Sequence, residues 1–345
     1  MSDKLLEGIE YDDIRRGTMA KKRILSGMRS TGHLHLGNLH GALANWRRMQ
    51  DEYECFYFIA DWHALTSDYD NTGPIQGYVT EIFLDWLSVG LSPEKCTLFV
   101  QSHIKEHAEL FLLLSMITPL PWLERNPTYK EQIAELKNKD LSTFGFLGYP
   151  VLQAADIIIY KANGVPVGID QAPHVELTRE IARRFNYFYG DIFPIPDTIL
   201  TETPKILGLD RRKMSKSYNN AIFLSDPPEV VREKVAQMIT DPQRARRADP
   251  GNPDVCNVFS FHKMYSDKET VARVDQECRR AEIGCVECKQ IMAENLVKAL
   301  EPIREKRAYY EARPDELRAI IEAGDKAART VARSTMEEVR GAIKI

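Results

Sequence analysis

The sequence predicts an α/β fold, a doubly wound parallel sheet followed by an all-helical domain. Residues 55–60 (CFYFIA) and 97–100 (TLFV) are unbroken apolar runs, as expected of strands buried on both faces. Helical periodicity alternates with such runs through the first two thirds of the chain, the pattern of a parallel sheet with crossover helices. From Pro228 onward no strand-like run recurs, and the segments are rich in Ala, Glu, Arg and Lys.

Taken in order, residues 1–20 show no clean period and read as a peripheral extension. Residues 23–28 (RILSGM) form a short strand entering a glycine-containing turn. Residues 38–50 space Leu39, Leu43, Ala44, Trp46 and Met49 as a helix. The strand at 55–60 precedes a helix over 75–89, and the strand at 97–100 a helix over 108–116. Residues 145–160 hold a mostly apolar helix and 165–168 a short strand. A helix over 171–186 carries Val175, Leu177, Ile181 and Phe185 on its apolar face. Helices then cover 230–239, 271–280, 288–310 and 314–345, with proline-containing breaks at 241–242 and 249–253. The expected organisation is an extension (1–20), a catalytic α/β domain (21–219) and a helical domain (220–345).

The chain has 345 residues, 43% of them hydrophobic, an ordinary globular share. No apolar run reaches the roughly 18 residues of a membrane span. The first residues are charged (Asp3, Lys4, Glu7, Glu10), unlike a secretion signal, which points to the cytoplasm. A net charge of −4 means that any nucleic acid must be met by local basic patches. Arg244, Arg246 and Arg247 form one such patch, which reads equally well as a solvated turn.

The chemistry is concentrated in two short strings. Residues 213–217 read Lys-Met-Ser-Lys-Ser, two ammonium groups and two hydroxyls in five residues, a set of donors suited to a triphosphate. Residues 31–38 read Thr-Gly-His-Leu-His-Leu-Gly-Asn at a strand-to-helix turn. There Gly37 allows close backbone approach, a helix N-terminus faces the ligand, and His35 and Asn38 donate without adding a competing anion. A third stretch, residues 149–157 (YPVLQAADI), surrounds one carboxylate, Asp156, with apolar side chains, an expensive burial without a partner.

These strings resemble those of class I aminoacyl-tRNA synthetases, whose catalytic domain is Rossmann-like. The run 164–171 (GVPVGIDQ) followed by 174–179 (HVELTR) resembles closely the signature of the tryptophanyl family. The resemblance covers residues 23–219 almost without interruption and continues more weakly to the C-terminus. It implies activation of tryptophan by Mg·ATP, charging of tRNA(Trp), a homodimer, and a lysine loop that closes over ATP. His35, Asn38, Lys213, Ser215 and Lys216 would be catalytic. Arg29, Ser30 and Thr31 would lie along the phosphates with Gly37, Met214 and Ser217. Gly168, Ile169 and Asp170 would approach the ribose and Ile206 the adenine, and Lys130 would add a phosphate contact. Asp156 would recognise the indole nitrogen, with Tyr149, Gln153, Val165, Val167 and Gln171 around it. His63 also matches the pattern, although a structural histidine after a strand explains it equally well.

The chain departs from the family at four positions. Asn38 ends the usual His-x-Gly-His string, a variant that tryptophanyl enzymes use, and Ser30 stands where proline is common. Ile169 replaces a frequent glutamate, and Gln153 a frequent methionine. Tyrosyl-tRNA synthetase is the nearest alternative, followed by a related nucleotidyl-transferring enzyme and by a non-catalytic tRNA-binding paralogue. A tyrosine pocket must pair a phenol that both donates and accepts, whereas Asp156 among apolar residues suits an indole.

Six cysteines are present. Cys55 and Cys96 belong to strands and read as packing residues. Cys256, Cys278, Cys285 and Cys288 form C-x21-C-x6-C-x2-C, which suits a four-thiolate metal site in a chain without a secretion signal. Zinc ribbons show two C-x2-C knuckles and this chain has one. A subset of bacterial tryptophanyl enzymes carries a [4Fe–4S] cluster on nearly this spacing, with one more residue in the first gap. The resemblance therefore implies a [4Fe–4S] cluster, with Zn2+ as the alternative, in a structural or RNA-docking role.

Overall fold

The computed structural model describes residues 21–126, 129, 140–201 and 205–345, with the backbone alone at Asp170; Lys130 lies outside the described residues. Five parallel strands, β1 (Arg23–Arg29), β2 (Glu54–Ala60), β3 (Cys96–Val100), β4 (Gly164–Val167) and β5 (Asp197–Leu200), form one sheet in the order β3-β2-β1-β4-β5. The order reverses between β1 and β4, and this is where a doubly wound sheet opens a crevice at the carboxyl ends of its strands. β5 was not anticipated: its exposed ends and four-residue length carry little of the apolar pattern that marks β2.

Both faces of the sheet are covered, as the apolar runs require. Ile24, Tyr57, Ile59, Leu98 and Val100 point into one buried cluster, and Leu25, Phe56, Phe58 and Phe99 into another. Helix α1 begins at Leu36–Asn38, passes through a π-helical turn at Leu39–Leu43 and continues over Ala44–Glu52. It shares the first cluster with α3 (Ile75–Ser88). The second cluster holds α4 (Glu106–Ser115), α6 (Phe144–Ile159) and α7 (Ala172–Tyr189). Two short helices, α2 (Asp61–Asp68) and α5 (Leu120–Glu124), follow strands or turns too briefly to show a period.

Beyond the sheet lie α8 (Pro228–Gln237), α9 (Asn257–Tyr265), α10 (Lys268–Arg279), α11 (Cys285–Glu311) and α12 (Pro314–Ile343). The last is one helix of 30 residues rather than several. It lies against the edge strand β3, where the Asp325 carboxylate accepts from the Val100 N–H at 3.0 Å. A Cβ at Gly324 would come within 1.8 Å of the Leu98 carbonyl oxygen, so only glycine permits this approach. The helix thereby covers a sheet edge that would otherwise offer free backbone groups. None of the helices among the described residues is long and apolar enough to cross a membrane.

Candidate active site

β1 ends at Arg29 and the chain turns sharply into α1. Gly32 sits at φ +128°, in the region that favours glycine. His35 caps α1. Its Nδ1 accepts from the Gly37 N–H at 3.1 Å, while the Asn38 Oδ1 accepts from the His35 N–H at 3.0 Å. This is a capping box built from an imidazole and an amide. A Cβ at Gly37 would lie 2.9 Å from the His35 ring, which explains the glycine.

The lysine loop folds directly onto this turn. Lys216 Nζ donates to the Gly32 carbonyl at 2.8 Å, and Met214 Cβ lies 3.9 Å from the Cβ position of Gly37. Lys213 bridges Leu207, the Met214 N–H donates to the Ile206 carbonyl at 2.9 Å, and the Ser215 N–H donates to Asn220 Oδ1 at 2.8 Å. Ser217 occupies the short turn Lys216–Tyr218. The Met214 and Ile206 side chains join the core beside Leu36 rather than an open cleft. Burial, then Lys216 and Lys213, push the His35 imidazole down to about 4, so it is neutral at physiological pH. Burial lowers Lys216 to about 8.

Below this turn a cavity of about 400 Å³ opens between β1 and β4, within the usual range for small ligands. All six residues expected around an indole line it: Tyr149, Gln153, Asp156, Val165, Val167 and Gln171. Arg29 and Gly168 line it too, which joins the expected nucleotide region to the same space. Arg29 donates to the Ser67 hydroxyl and stands 3.9 Å from Asp68. Its Nε and the Ser30 hydroxyl are buried without a hydrogen-bond partner among the described residues. Burial lowers the Arg29 pKa against the opposing pull of Asp68 and Tyr149. Thr31 is exposed at the turn, and Ile169, with 75% of its surface free, begins the turn Ile169–Gln171 that also contains Asp170.

Asp156 is fully buried on α6. His63 Nε2 lies 2.7 Å from Oδ2 and His107 Nδ1 2.6 Å from Oδ1. Gln101 Nε2 donates to both oxygens at 2.8 and 2.9 Å. Burial pushes this carboxyl up, but His107 and His63 outweigh it and hold the pKa below the ordinary value. Tyr149 is tied through its hydroxyl to His174 Nε2 at 3.0 Å. Sequence reasoning missed Gln101, His107 and Phe146, which complete this site. Gln101 and His107 follow β3, far along the chain from Asp156, and no local pattern links them to it.

Two of the four C-terminal cysteines, Cys278 and Cys285, face one guanidinium. Arg244 Nη1 lies 3.7 Å from Cys278 Sγ and 3.9 Å from Cys285 Sγ, and Cys288 Sγ is 3.5 Å from His262 Nε2. Cys256, Cys278 and Cys288 pack on Phe259, Val274 and Ile283. Among the described residues, no three His, Cys, Asp or Glu side chains stand at metal-holding spacing, so the thiols converge without forming a finished cage. Arg244 itself also donates to the Arg247 and Ile283 carbonyls. The basic patch is therefore partly structural.

A parallel sheet in this order, with a glycine turn and a lysine loop meeting above a ligand-sized cavity, defines a nucleotide-dependent ligase of class I synthetase architecture. Residues 19–301 match the family described as tRNA synthetases class I (W and Y). Tryptophan–tRNA ligase of Thermotoga maritima is 53% identical, covering 94% of this chain and 99% of its own. That of Aquifex aeolicus is 47% identical, covering 94% and 100%. The tryptophanyl-tRNA synthetase of Campylobacter jejuni, solved with ADP and tryptophan, superposes with a TM-score of 0.87 at 31% identity, covering 94% of this chain and all of that one. The chain belongs to the class I tRNA synthetases of the tryptophan and tyrosine group and, within it, to the tryptophan–tRNA ligases.

Proposed function

We propose that the chain activates L-tryptophan with Mg·ATP, giving tryptophanyl-adenylate and pyrophosphate, and then transfers tryptophan to the 3′ end of tRNA(Trp) in the cytoplasm. The observation that carries this reading is the continuity of one space. Asp156 lies at its floor, Arg29 and Gly168 at its side, and the Gly32–Lys216 contact closes the adjoining turn. The tryptophan carboxylate attacks the α-phosphorus and pyrophosphate leaves, so no protein nucleophile is needed. Catalysis is positioning and charge stabilisation. Neutral His35 and Asn38 orient the triphosphate, and Lys213, Ser215 and Lys216 meet the charge that grows on pyrophosphate. The Arg29 Nε and the Ser30 hydroxyl, buried without a partner among the described residues, are donors suited to phosphate oxygens. Mg2+ bound to the triphosphate neutralises part of its charge. Asp156 accepts from the indole N–H, Gln171 faces the amino group, and Tyr149, Gln153, Val165 and Val167 wall the ring. Gly168, Ile169 and Asp170 border the ribose.

The test is tryptophan-dependent exchange of pyrophosphate into ATP, followed by charging of tRNA. Exchange with tyrosine instead would move the assignment to the sister enzyme, and no exchange with any amino acid would leave a binding protein.

Three further assignments belong to this reading. Residues 21–219 form the catalytic domain and 220–345 the anticodon-reading domain, with 1–20 peripheral. The enzyme is a homodimer: Leu112, Met116, Leu120, Phe144, Tyr187 and Phe188 leave large apolar surface exposed on neighbouring helices α4 to α7, the kind of face a second copy covers. Cys256, Cys278, Cys285 and Cys288 hold a [4Fe–4S] cluster, with Zn2+ as the alternative occupant. Four thiolates suit either, and the guanidinium of Arg244 beside two of the sulfurs suits an anionic metal–thiolate group. Such a group would fix the fold where α9, α10 and α11 meet. Iron and acid-labile sulfide measured on anaerobically purified protein decide between them: one zinc per chain without visible absorbance would reject the cluster.

A further inference from the structure

Asp156 has no room for an indole as it stands. Oδ1 receives Gln101 and His107, and Oδ2 receives Gln101 and His63, at 2.6 to 2.9 Å. An ionised carboxylate offers about four acceptor sites, and four contacts fill them. If Asp156 is the acceptor for the indole N–H, on which this inference rests, one present donor has to leave.

The three donors are not equally held. Gln101 and His107 are wholly buried. Gln101 is anchored at its other end, where its Oε1 accepts from the Trp62 N–H at 3.1 Å. His107 is anchored through Nε2, which lies 2.7 Å from the Tyr160 hydroxyl. His63 differs: it lines the cavity, and among the described residues its one side-chain hydrogen bond is to Asp156. Its ring meets Tyr149 edge-on at 6.3 Å.

We propose that His63 is a displaceable donor, which fills the acceptor position on Asp156 Oδ2 in the empty enzyme and yields it to the indole N–H. The exchange keeps the number of hydrogen bonds to the buried carboxylate constant for tryptophan. A ring of the same shape without an N–H either leaves His63 in its way or leaves Asp156 one bond short. His63 thus tunes affinity for the ring: either ring has to displace it, and only the N–H of tryptophan replaces the bond that is lost.

The experiment uses the full-length enzyme and two amino acids, L-tryptophan and L-3-(benzothiophen-3-yl)alanine, in which sulfur replaces the ring N–H. Pyrophosphate exchange gives KM for each with the wild type and with His63→Phe, which keeps a ring but has no donor. The expected result is a KM for tryptophan lowered about tenfold or more, as the loss of one charge-assisted competitor implies, and a KM for the analogue lowered with it. A parallel rise for both compounds would make His63 a plain wall and overturn the proposal. A wild type that treats the two amino acids alike would instead refute the assignment of Asp156 to the indole. The 15N resonances of histidine-labelled wild type give a second readout should His63→Phe not fold. One imidazole should shift on adding tryptophan as His63 leaves Asp156; no imidazole shift would reject displacement.

Discussion

Replacing Arg307 by methionine removes the guanidinium that pairs with the buried carboxylate of Asp85. Arg307 lies on α11 and is 6% exposed; Asp85 lies on α3 and is wholly buried. Its Nη1 stands 2.6 Å from Asp85 Oδ1, its Nη2 pairs with Glu81, and its Nε lies 2.8 Å from Glu311. The other Asp85 oxygen accepts from the Leu34 N–H at 3.3 Å, and Glu81 stands 3.1 Å from His33 Nδ1. The cluster therefore ties a helix of the C-terminal region to the turn that carries His35. Burial pushes the Asp85 carboxyl up to about 6 even with Arg307 beside it. Removing one partner of such a pair costs about 3–5 kcal/mol, because the remaining charge stays desolvated. For a chain of this size that is a fall in Tm on the order of 4–7 °C. Thermal unfolding followed by circular dichroism measures it. Adding Asp85→Asn removes the stranded charge while keeping an acceptor for Leu34, and should restore most of the loss. The KM for ATP should rise in the single variant as the turn loosens. A single variant within about 1 kcal/mol of wild type, or a double variant no better than the single, would refute the reasoning.

Gly324→Ala should lower Tm strongly, since its methyl would collide with the Leu98 carbonyl and push α12 off β3; unchanged melting would show that the helix does not sit there. Lys216 has a pKa lowered by folding to about 8, so its charged form is disfavoured in the native state below that pH, and the cost is relieved as pH rises from about 8 toward the ordinary lysine value of 10.5. For activity the sign is opposite: kcat/KM for ATP should fall above about pH 8 as free enzyme loses this charge, and Lys216→Arg should remove that limb from the pH profile. Asp156→Asn should cost at least tenfold in kcat/KM for tryptophan while leaving the KM for ATP within about twofold, because a carboxylate that accepts charge-assisted bonds becomes an amide with half the acceptor capacity.

Much of this site was legible because its chemistry is local in the chain. The signature turn is a strand end, a glycine pair and a helix start within a few residues, and each residue type has its own physical reason to be there. The lysine loop was equally plain as a string, and its contact with Gly32 is the spatial link that a string cannot express. The residues that line the cavity were legible because α6 and β4 each present a contiguous segment to it. β2 and β3 announced themselves through continuous apolarity, whereas β5 (Asp197–Leu200), half exposed at the sheet edge, did not.

What the sequence concealed is the set of groups that decides how Asp156 behaves. A buried carboxylate in isolation would be protonated or excluded from the core, and the sequence shows it only as an anomaly among alanines and isoleucines. Its solution lies in residues 49 and 93 positions away, His107 and His63, with Gln101 between them. Each comes from the region just beyond the carboxyl end of a neighbouring strand, β2 for His63 and β3 for Gln101 and His107. The sheet order, which sets these strand ends side by side, is what assembles the partners. The setting of this buried carboxylate is therefore a property of the doubly wound topology as much as of the helix that bears the aspartate. A polar residue inside an apolar segment is a pointer to the crevice, and its partners are found by asking which other strands end there.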